Sequence, residues 1–92
     1  METFRGTLRD GDRVIARSVR GLYRFDKSDM TEQYKGYFLI PRAEAMKLET
    51  NGHSYCLAIE QGPILDIDIE VSEVAFQTRL AHAGFVSHRT PH

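Results

Sequence analysis

The sequence predicts one mainly β domain, folded as a small antiparallel barrel or sandwich of six to seven short strands. Apolar and polar residues alternate with a period of two in several segments, as they do in half-buried strands. Glycines and prolines separate these segments at the spacing of short turns. With only 92 residues, the chain has no room for a second domain, and a barrel pairs its own strand edges. We expect a compact domain over 1–86 and a frayed tail over 87–92.

The first two strands are expected to form a hairpin. Phe4 and Leu8 alternate with arginines on the first strand. A three-residue loop over 9–11 ends in Gly11, which tolerates the left-handed conformation of a G1 bulge. This loop pairs Leu8 with Asp12 and keeps the apolar side chains of the two strands on one face.

The middle of the chain predicts one further strand and one loop. Residues 19–25 continue the second strand or begin another, and the polar, unpatterned residues 26–33 are typical of a loop. Residues 34–40 are apolar enough for a strand, which Pro41 ends. Gly36 lies inside this aromatic segment and indicates a bulge or the close approach of another chain.

The later half predicts a three-stranded meander over 44–71. The pair Asn51-Gly52 favours a two-residue hairpin turn between strands at 45–49 and 53–59. Residues 61–63 then interrupt the chain before the clearest strand, 64–71. There, apolar residues at 65, 67, 69 and 71 alternate with three carboxylates, Asp66, Asp68 and Glu70.

Residues 72–84 fit two structures equally well. Ser72 is a good cap for a short C-terminal helix in which Phe76, Leu80 and Ala83 share one face, and Gly84 closes it. The same residues also alternate as they would in a strand. The sequence leaves both structures open.

The net charge of −1 hides a strong local separation of charge. Residues 5–24 carry an excess of four positive charges, all from arginines, and residues 44–73 carry an excess of six negative charges. If the two sets lie on adjacent strands, they pair across the sheet, each pair contributing about 0.2–1 kcal/mol. If they lie apart, the surface is polarised and suited to docking a complementary partner.

We expect a non-catalytic binding module, whose partner is a protein or a second copy of the chain. The candidate binding residues are basic or aromatic: Arg5, Arg9, Arg13, Arg17, Tyr34, Tyr37 and Phe38. The aromatic residues fit the filling of both faces of a barrel strand better than they fit a binding site. An alternative is a barrel that binds single-stranded nucleic acid or a small ligand, because arginines bind phosphates and aromatic rings stack on bases.

Catalytic machinery, a metal site and a cofactor are not expected. Phosphate-binding glycine loops and nucleophile motifs are missing from the sequence, and Cys56, within an apolar strand, is expected to act as a small core residue. His53 and Cys56 are three residues apart on a predicted strand and therefore face opposite sides. A second alternative is a small hydrolase or lyase that uses the carboxylates of Asp66, Asp68 and Glu70.

A cytoplasmic location without membrane contact is the expectation for targeting. The N-terminus begins Met-Glu-Thr and contains no apolar stretch of the kind found in signal peptides. The longest apolar run, residues 37–40, is far below the roughly 18 residues of a membrane helix. The single cysteine excludes an internal disulfide.

Overall fold

The computed structural model describes residues 1–28, 31–74 and 79–88. These residues form a closed antiparallel β-barrel in which the strands are hydrogen-bonded in the order β1-β2-β3-β6-β5-β4. The mainly β fold predicted from the sequence is confirmed, with a barrel rather than a sandwich. The elements are β1 Glu2–Asp10, β2 Arg13–Ser28, β3 Thr31–Pro41, α1 Arg42–Ala45, β4 Ser54–Ile59, β5 Ile64–Val74 and β6 Leu80–Ser87.

The interior of the barrel is filled by alternate side chains of its strands, as in other small barrels. On β5, Leu65, Ile67 and Ile69 are buried, whereas Asp66 and Glu70 between and beyond them are exposed. The alternation predicted for this strand is therefore confirmed over residues 65–70, and a register shift in the pairing with β6 follows Ile69. The largest fully buried side chains of the described residues are Phe38, Phe85, Leu8, Ile40, Leu57, Ile67 and Ile69.

One end of the barrel is closed by α1 and the segment that follows it. Because β3 and β4 are three places apart in a ring of six strands, the chain between them crosses the end of the barrel. Ala45 is buried there, and Leu48 packs against the core. The buried Tyr55 accepts a hydrogen bond at its hydroxyl oxygen from the backbone N–H of Glu49, at 2.8 Å.

The predicted strand at 45–49 and its hairpin at Asn51-Gly52 are wrong. Residues 42–45 are helical, and the chain reaches β4 through an irregular segment rather than a two-residue turn. Gly52 does adopt a positive φ of 76°. The local turn preference is therefore met, but closure of the barrel end by Ala45 and Leu48 decides the path of the chain.

The predicted loop between β1 and β2 is also wrong in its register. The turn is formed by Gly11 and Asp12, and Leu8 pairs with Ala16 rather than with Asp12. Gly11 has the expected positive φ, 60°. Two register shifts place extra residues in β2, one of them near Ser18 (φ 55°), and such bulges bend and twist a strand sharply.

Close approach of β2 and β3 explains two glycines. A Cβ atom at Gly21 would collide with the carbonyl oxygen of Tyr37 and lie 2.7 Å from the Cα atom of Phe38. A Cβ atom at Gly36 would collide with the carbonyl oxygen of Leu22. The close approach expected at Gly36 is confirmed, and the approaching chain is the neighbouring strand of the same barrel.

Strands β2 and β3 extend beyond the barrel as a hairpin arm, defined by residues 24–28 and 31–34. Pairing of β1 with β2 stops at Tyr23, whereas pairing of β2 with β3 continues to Ser28 and Thr31. Most of the loop expected at 26–33 is therefore strand; residues 29–30 lie outside the described part. Cross-strand pairing stabilises this polar segment, which lacks the apolar alternation from which strands are predicted.

Of the two structures considered for residues 72–84, the strand is the one observed where the chain is described. Residues 72–74 belong to β5, and Leu80–Ser87 is β6. Phe76 lies outside the described residues. The short helix of the fold is α1 rather than a C-terminal helix, because β6 is needed to close the ring between β3 and β5. Ser87, expected in the frayed tail, is buried at the end of β6.

Candidate functional site

The arginines of β1 and β2 lie on the outer surface of the barrel. Arg5, Arg9, Arg13, Arg17, Arg20 and Arg24 are all exposed. On β1 the exposed arginines alternate with the buried Phe4 and Leu8, as predicted. We call the first five of these arginines, residues 5, 9, 13, 17 and 20, the arginine face.

The guanidinium groups of the arginine face lack carboxylate partners within the described residues. The ion pairs among the described residues join lysines or histidines to carboxylates. Examples are Lys35 with Asp26 at 3.3 Å and His53 with Asp10 at 2.9 Å. Arg13 lies directly opposite Asp10 on the ladder, but Asp10 pairs with His53. The positive charge of this face is therefore available to an external partner.

The carboxylates of β5 lie on the other side of the barrel from the arginines of β2 and one strand away from the arginines of β1. Asp66 and Glu70 are exposed and Asp68 is half-buried, all on the outer face of β5, which we call the acidic face. Because β5 is three places from β2 in the ring of six strands, the two strands are on opposite sides of the barrel. Asp68 Oδ1 lies 3.0 Å from His88 Nε2.

The interpretation in which arginines and carboxylates pair on adjacent strands is therefore wrong. Strand β4 separates β1 from β5, and its outer side chains, Ser54, Cys56 and Ala58, carry no charge. The arginine nearest to the acidic face, Arg9, lies opposite Cys56 on one ladder, and Cys56 lies opposite Asp66 on the next. The surface is polarised.

The three aromatic candidates occupy three different environments. Phe38 is fully buried in the core against Phe85, with ring centroids 5.9 Å apart, so its inclusion among binding residues is wrong. Tyr34 is half-buried between Tyr23 and Phe25. The interior-filling interpretation holds for Phe38 because β3 alternates: its neighbour Tyr37 points outward.

Tyr37 stacks on His82 on the outer surface of β3 and β6. The ring centroids are 3.9 Å apart and the planes differ by 26°. His82 was not among the candidate residues, because only the pairing of β3 with β6 brings it beside Tyr37. Arg20 was not among them either, although its arginine-rich surroundings were a usable signal.

Cys56 is not a core residue. It is half-buried on the outer face of β4, between the buried Tyr55 and Leu57. The alternation that buries its two neighbours is also what turns Cys56 outward. In the described part of the chain, histidine, cysteine and acidic side chains form no group of three or more able to hold a metal ion.

Among the described residues, one titratable group, the Tyr23 phenol, has a clearly shifted pKa. Partial burial raises the pKa of the Tyr23 phenol, and the hydrogen bond to Glu2 and the negative charge of Glu2 raise it further. Tyr23 packs edge-on against Phe4, with ring centroids 5.5 Å apart. The neutral phenol is thus part of the packing between the core and the hairpin arm.

These features define a small, closed β-barrel with a positively charged side and a negatively charged side. Comparisons with models of known protein families, with curated proteins and with solved structures found no match. Across the described ranges, no helix has the length and apolar character needed to cross a membrane.

Proposed function

We propose that the chain is a non-catalytic protein-binding module that docks an acidic protein surface on its arginine face. Of such acidic surfaces, we propose the acidic face of a second copy of the chain as the one that docks there. The observation that supports this most strongly is the position of exposed arginines without carboxylate partners among the described residues, separated from Asp66 and Glu70 by at least one intervening strand.

Repulsion between arginines of the arginine face destabilises the folded barrel, and this supports a binding role for that face. Arg5 and Arg20 are directly opposed on β1 and β2, and like charges in such a pair destabilise a sheet. An acidic partner removes this repulsion by placing carboxylates between the guanidinium groups. Arginine also suits carboxylate recognition, since its planar fork of donors binds both oxygens.

The shape of the barrel favours binding over catalysis. Among the described residues, large apolar side chains fill the interior of the barrel, including Phe38 and Phe85. Both charged faces lie on the outer surface of the strands, where the depression lined by Arg5 and Arg20 is open to solvent. An open outer surface suits contact with another macromolecule better than enclosure of a small substrate.

Opposite placement of the two faces predicts a head-to-tail mode of association. In that mode the arginine face of one copy contacts the acidic face of the next, so the two contact surfaces differ. Exposed ion pairs contribute little individually and are screened by salt, so we expect weak association that requires low ionic strength.

Sedimentation velocity at low and high salt tests the proposal. We expect the protein to self-associate at low salt and to dissociate at high salt. Two double variants remove one face each: Arg5→Glu with Arg20→Glu, and Asp66→Lys with Glu70→Lys. A third, Arg42→Glu with Lys47→Glu, applies the arginine variant's charge change to exposed residues near the closed end of the barrel and serves as the matched control.

Each face variant alone should remain monomeric, whereas an equimolar mixture of the two should form a one-to-one complex. The complex forms because one variant keeps its acidic face and the other keeps its arginine face. The control should associate like the wild type. A monomeric wild type at high concentration and low salt, or a mixture that fails to associate, would overturn the proposal.

A further inference from the structure

A shallow depression next to the Tyr37–His82 stack has the features of a second, separate binding site. It has a volume of about 420 Å³, within the range of roughly 300–1,000 Å³ typical of small-molecule sites. Gly36 and Gly84 line it together with the two stacked rings. Since Gly84 lies opposite Tyr37 and has no side chain, β6 leaves the surface beside the tyrosine open.

Two basic side chains lie at one side of the same depression. Arg24 and Lys35 are directly opposed on β2 and β3, and both line it. Lys35 is partly neutralised by Asp26, 3.3 Å away. Arg24 is exposed and forms no ion pair with any described residue, so its guanidinium retains the capacity to bind an anion.

We infer that this depression binds a nucleotide, with the base stacked against Tyr37 and His82 and a phosphate on Arg24. Aromatic side chains provide stacking platforms for bases of any sequence, and arginine binds phosphate oxygens through two parallel hydrogen bonds. An aromatic shelf combined with an available guanidinium fits a ligand that is both flat and anionic. The free mononucleotide and a nucleotide within a single strand share this chemistry.

This inference does not depend on the proposed protein-binding function. The nucleotide site lies on β3 and β6 with Arg24 at the base of the hairpin arm, whereas the arginine face lies on the body of β1 and β2. Loss of self-association and loss of nucleotide binding can therefore be measured with different variants. A failure of one proposal leaves the other standing.

Titration of the ¹⁵N-labelled protein with adenosine 5′-monophosphate tests the site. The backbone amides of Gly36, Tyr37 and Gly84 should shift progressively and saturate. Adenosine and inorganic phosphate, titrated separately, should each bind more weakly than the mononucleotide, because each lacks one of the two interactions. Identical shifts from inorganic phosphate alone would show a simple anion site and overturn the inference.

Variants of the stacking residues and of the cation separate the two contributions. His82→Ala and Tyr37→Leu should each weaken binding by about tenfold, the scale of a lost base–aromatic stack. Arg24→Gln should weaken the binding of the mononucleotide but leave the binding of adenosine unchanged. His88→Ala and Arg42→Gln change exposed residues of the same types away from the depression and are the matched controls.

A fluorescently labelled eight-nucleotide single strand distinguishes the two sources of the ligand. Much tighter binding of the strand than of the mononucleotide, lost in His82→Ala, identifies a nucleotide within a strand. Equal affinities for the strand and the mononucleotide identify the free mononucleotide as the ligand. No saturable shift at millimolar mononucleotide together with no binding of the strand at low salt, where phosphate contacts are strongest, would overturn the inference.

Discussion

Arg5 and Arg20 lie directly opposite each other on β1 and β2, both exposed on the outer face of the barrel. They line a common depression with Glu60, but Glu60 forms no ion pair with either guanidinium. The backbone N–H of Glu60 instead donates to the carbonyl oxygen of Arg5, at 2.8 Å. Two like charges therefore lie opposite each other, and their repulsion lowers the stability of the sheet.

Replacement of Arg20 should stabilise the barrel. Arg20→Gln removes the repulsion from Arg5, and we expect the free energy of unfolding in urea to rise by about 0.2–1 kcal/mol at low ionic strength. The gain should shrink at high salt. Arg9→Gln is the matched control, because Arg9 lies opposite the uncharged Val14 and Cys56. A less stable Arg20→Gln protein would contradict the prediction.

A side chain at Gly36 should destabilise the barrel. In Gly36→Ala the new Cβ atom meets the carbonyl oxygen of Leu22 and lies 2.8 Å from the Cα atom of Tyr23. Forcing β2 and β3 apart should cost about 1–3 kcal/mol in urea unfolding. Gly11→Asn is the control, since nothing lies within 4 Å of a Cβ atom there and asparagine tolerates a positive φ. Equal stabilities of the two variants would argue against a tight approach at Gly36.

Two isoleucines of β5 should differ widely in their contribution to stability. Ile67 is 0% exposed, whereas Ile64 is 74% exposed. Ile67→Ala removes buried apolar atoms and leaves a cavity, so we expect a loss of about 2–5 kcal/mol. Ile64→Ala should change the free energy of unfolding by less than about 0.5 kcal/mol. Chemical denaturation of both variants measures the difference, and similar losses would place Ile67 outside the core.

Stability should fall in alkaline solution, in part because of Tyr23. Its pKa is raised in the folded state by partial burial and by Glu2, so the folded protein holds this proton more tightly than the unfolded chain does. The stabilisation is complete below about pH 10, the ordinary tyrosine pKa, and is lost as the pH rises through the folded pKa. Urea unfolding between pH 9 and pH 11 measures this loss.

Tyr23→Phe should unfold with a shallower pH dependence in this range, because phenylalanine has no proton to lose. Tyr37→Phe changes a tyrosine on the outer face and is the control. The same steep pH dependence in Tyr23→Phe as in the wild type would rule out a contribution from Tyr23.

Local patterns predicted the best-formed strands well. The alternation along β5 and the residues 61–63 that precede it appear in the structure as predicted. The hairpin arm was missed because its strands are polar and are stabilised by cross-strand pairing. The segment 45–49 was misassigned because the turn preference of Asn51-Gly52 is local, whereas burial of Ala45 at the barrel end depends on distant strands.

The sequence predicts the candidate site only in part, because local patterns do not show which strands lie side by side. The excess of positive charge over residues 5–24 predicts an arginine-rich surface, and the arginines of β1 and β2 are exposed. Phe38 was included and His82 omitted, because the sequence does not show which face of β3 points inward or which strand lies beside it. The stacking of Tyr37 on His82 joins residues 45 positions apart in the chain.

The sequence by itself determined the mainly β character of this protein and which side of β1 and of residues 65–70 faces the core, because both follow from alternation between neighbouring residues. It also determined that positive and negative charges are concentrated in different segments. Only the tertiary structure decided that these charges do not pair. Barrel closure in the order β1-β2-β3-β6-β5-β4 places β2 and β5 on opposite sides, and this order depends on contacts between residues far apart in the chain.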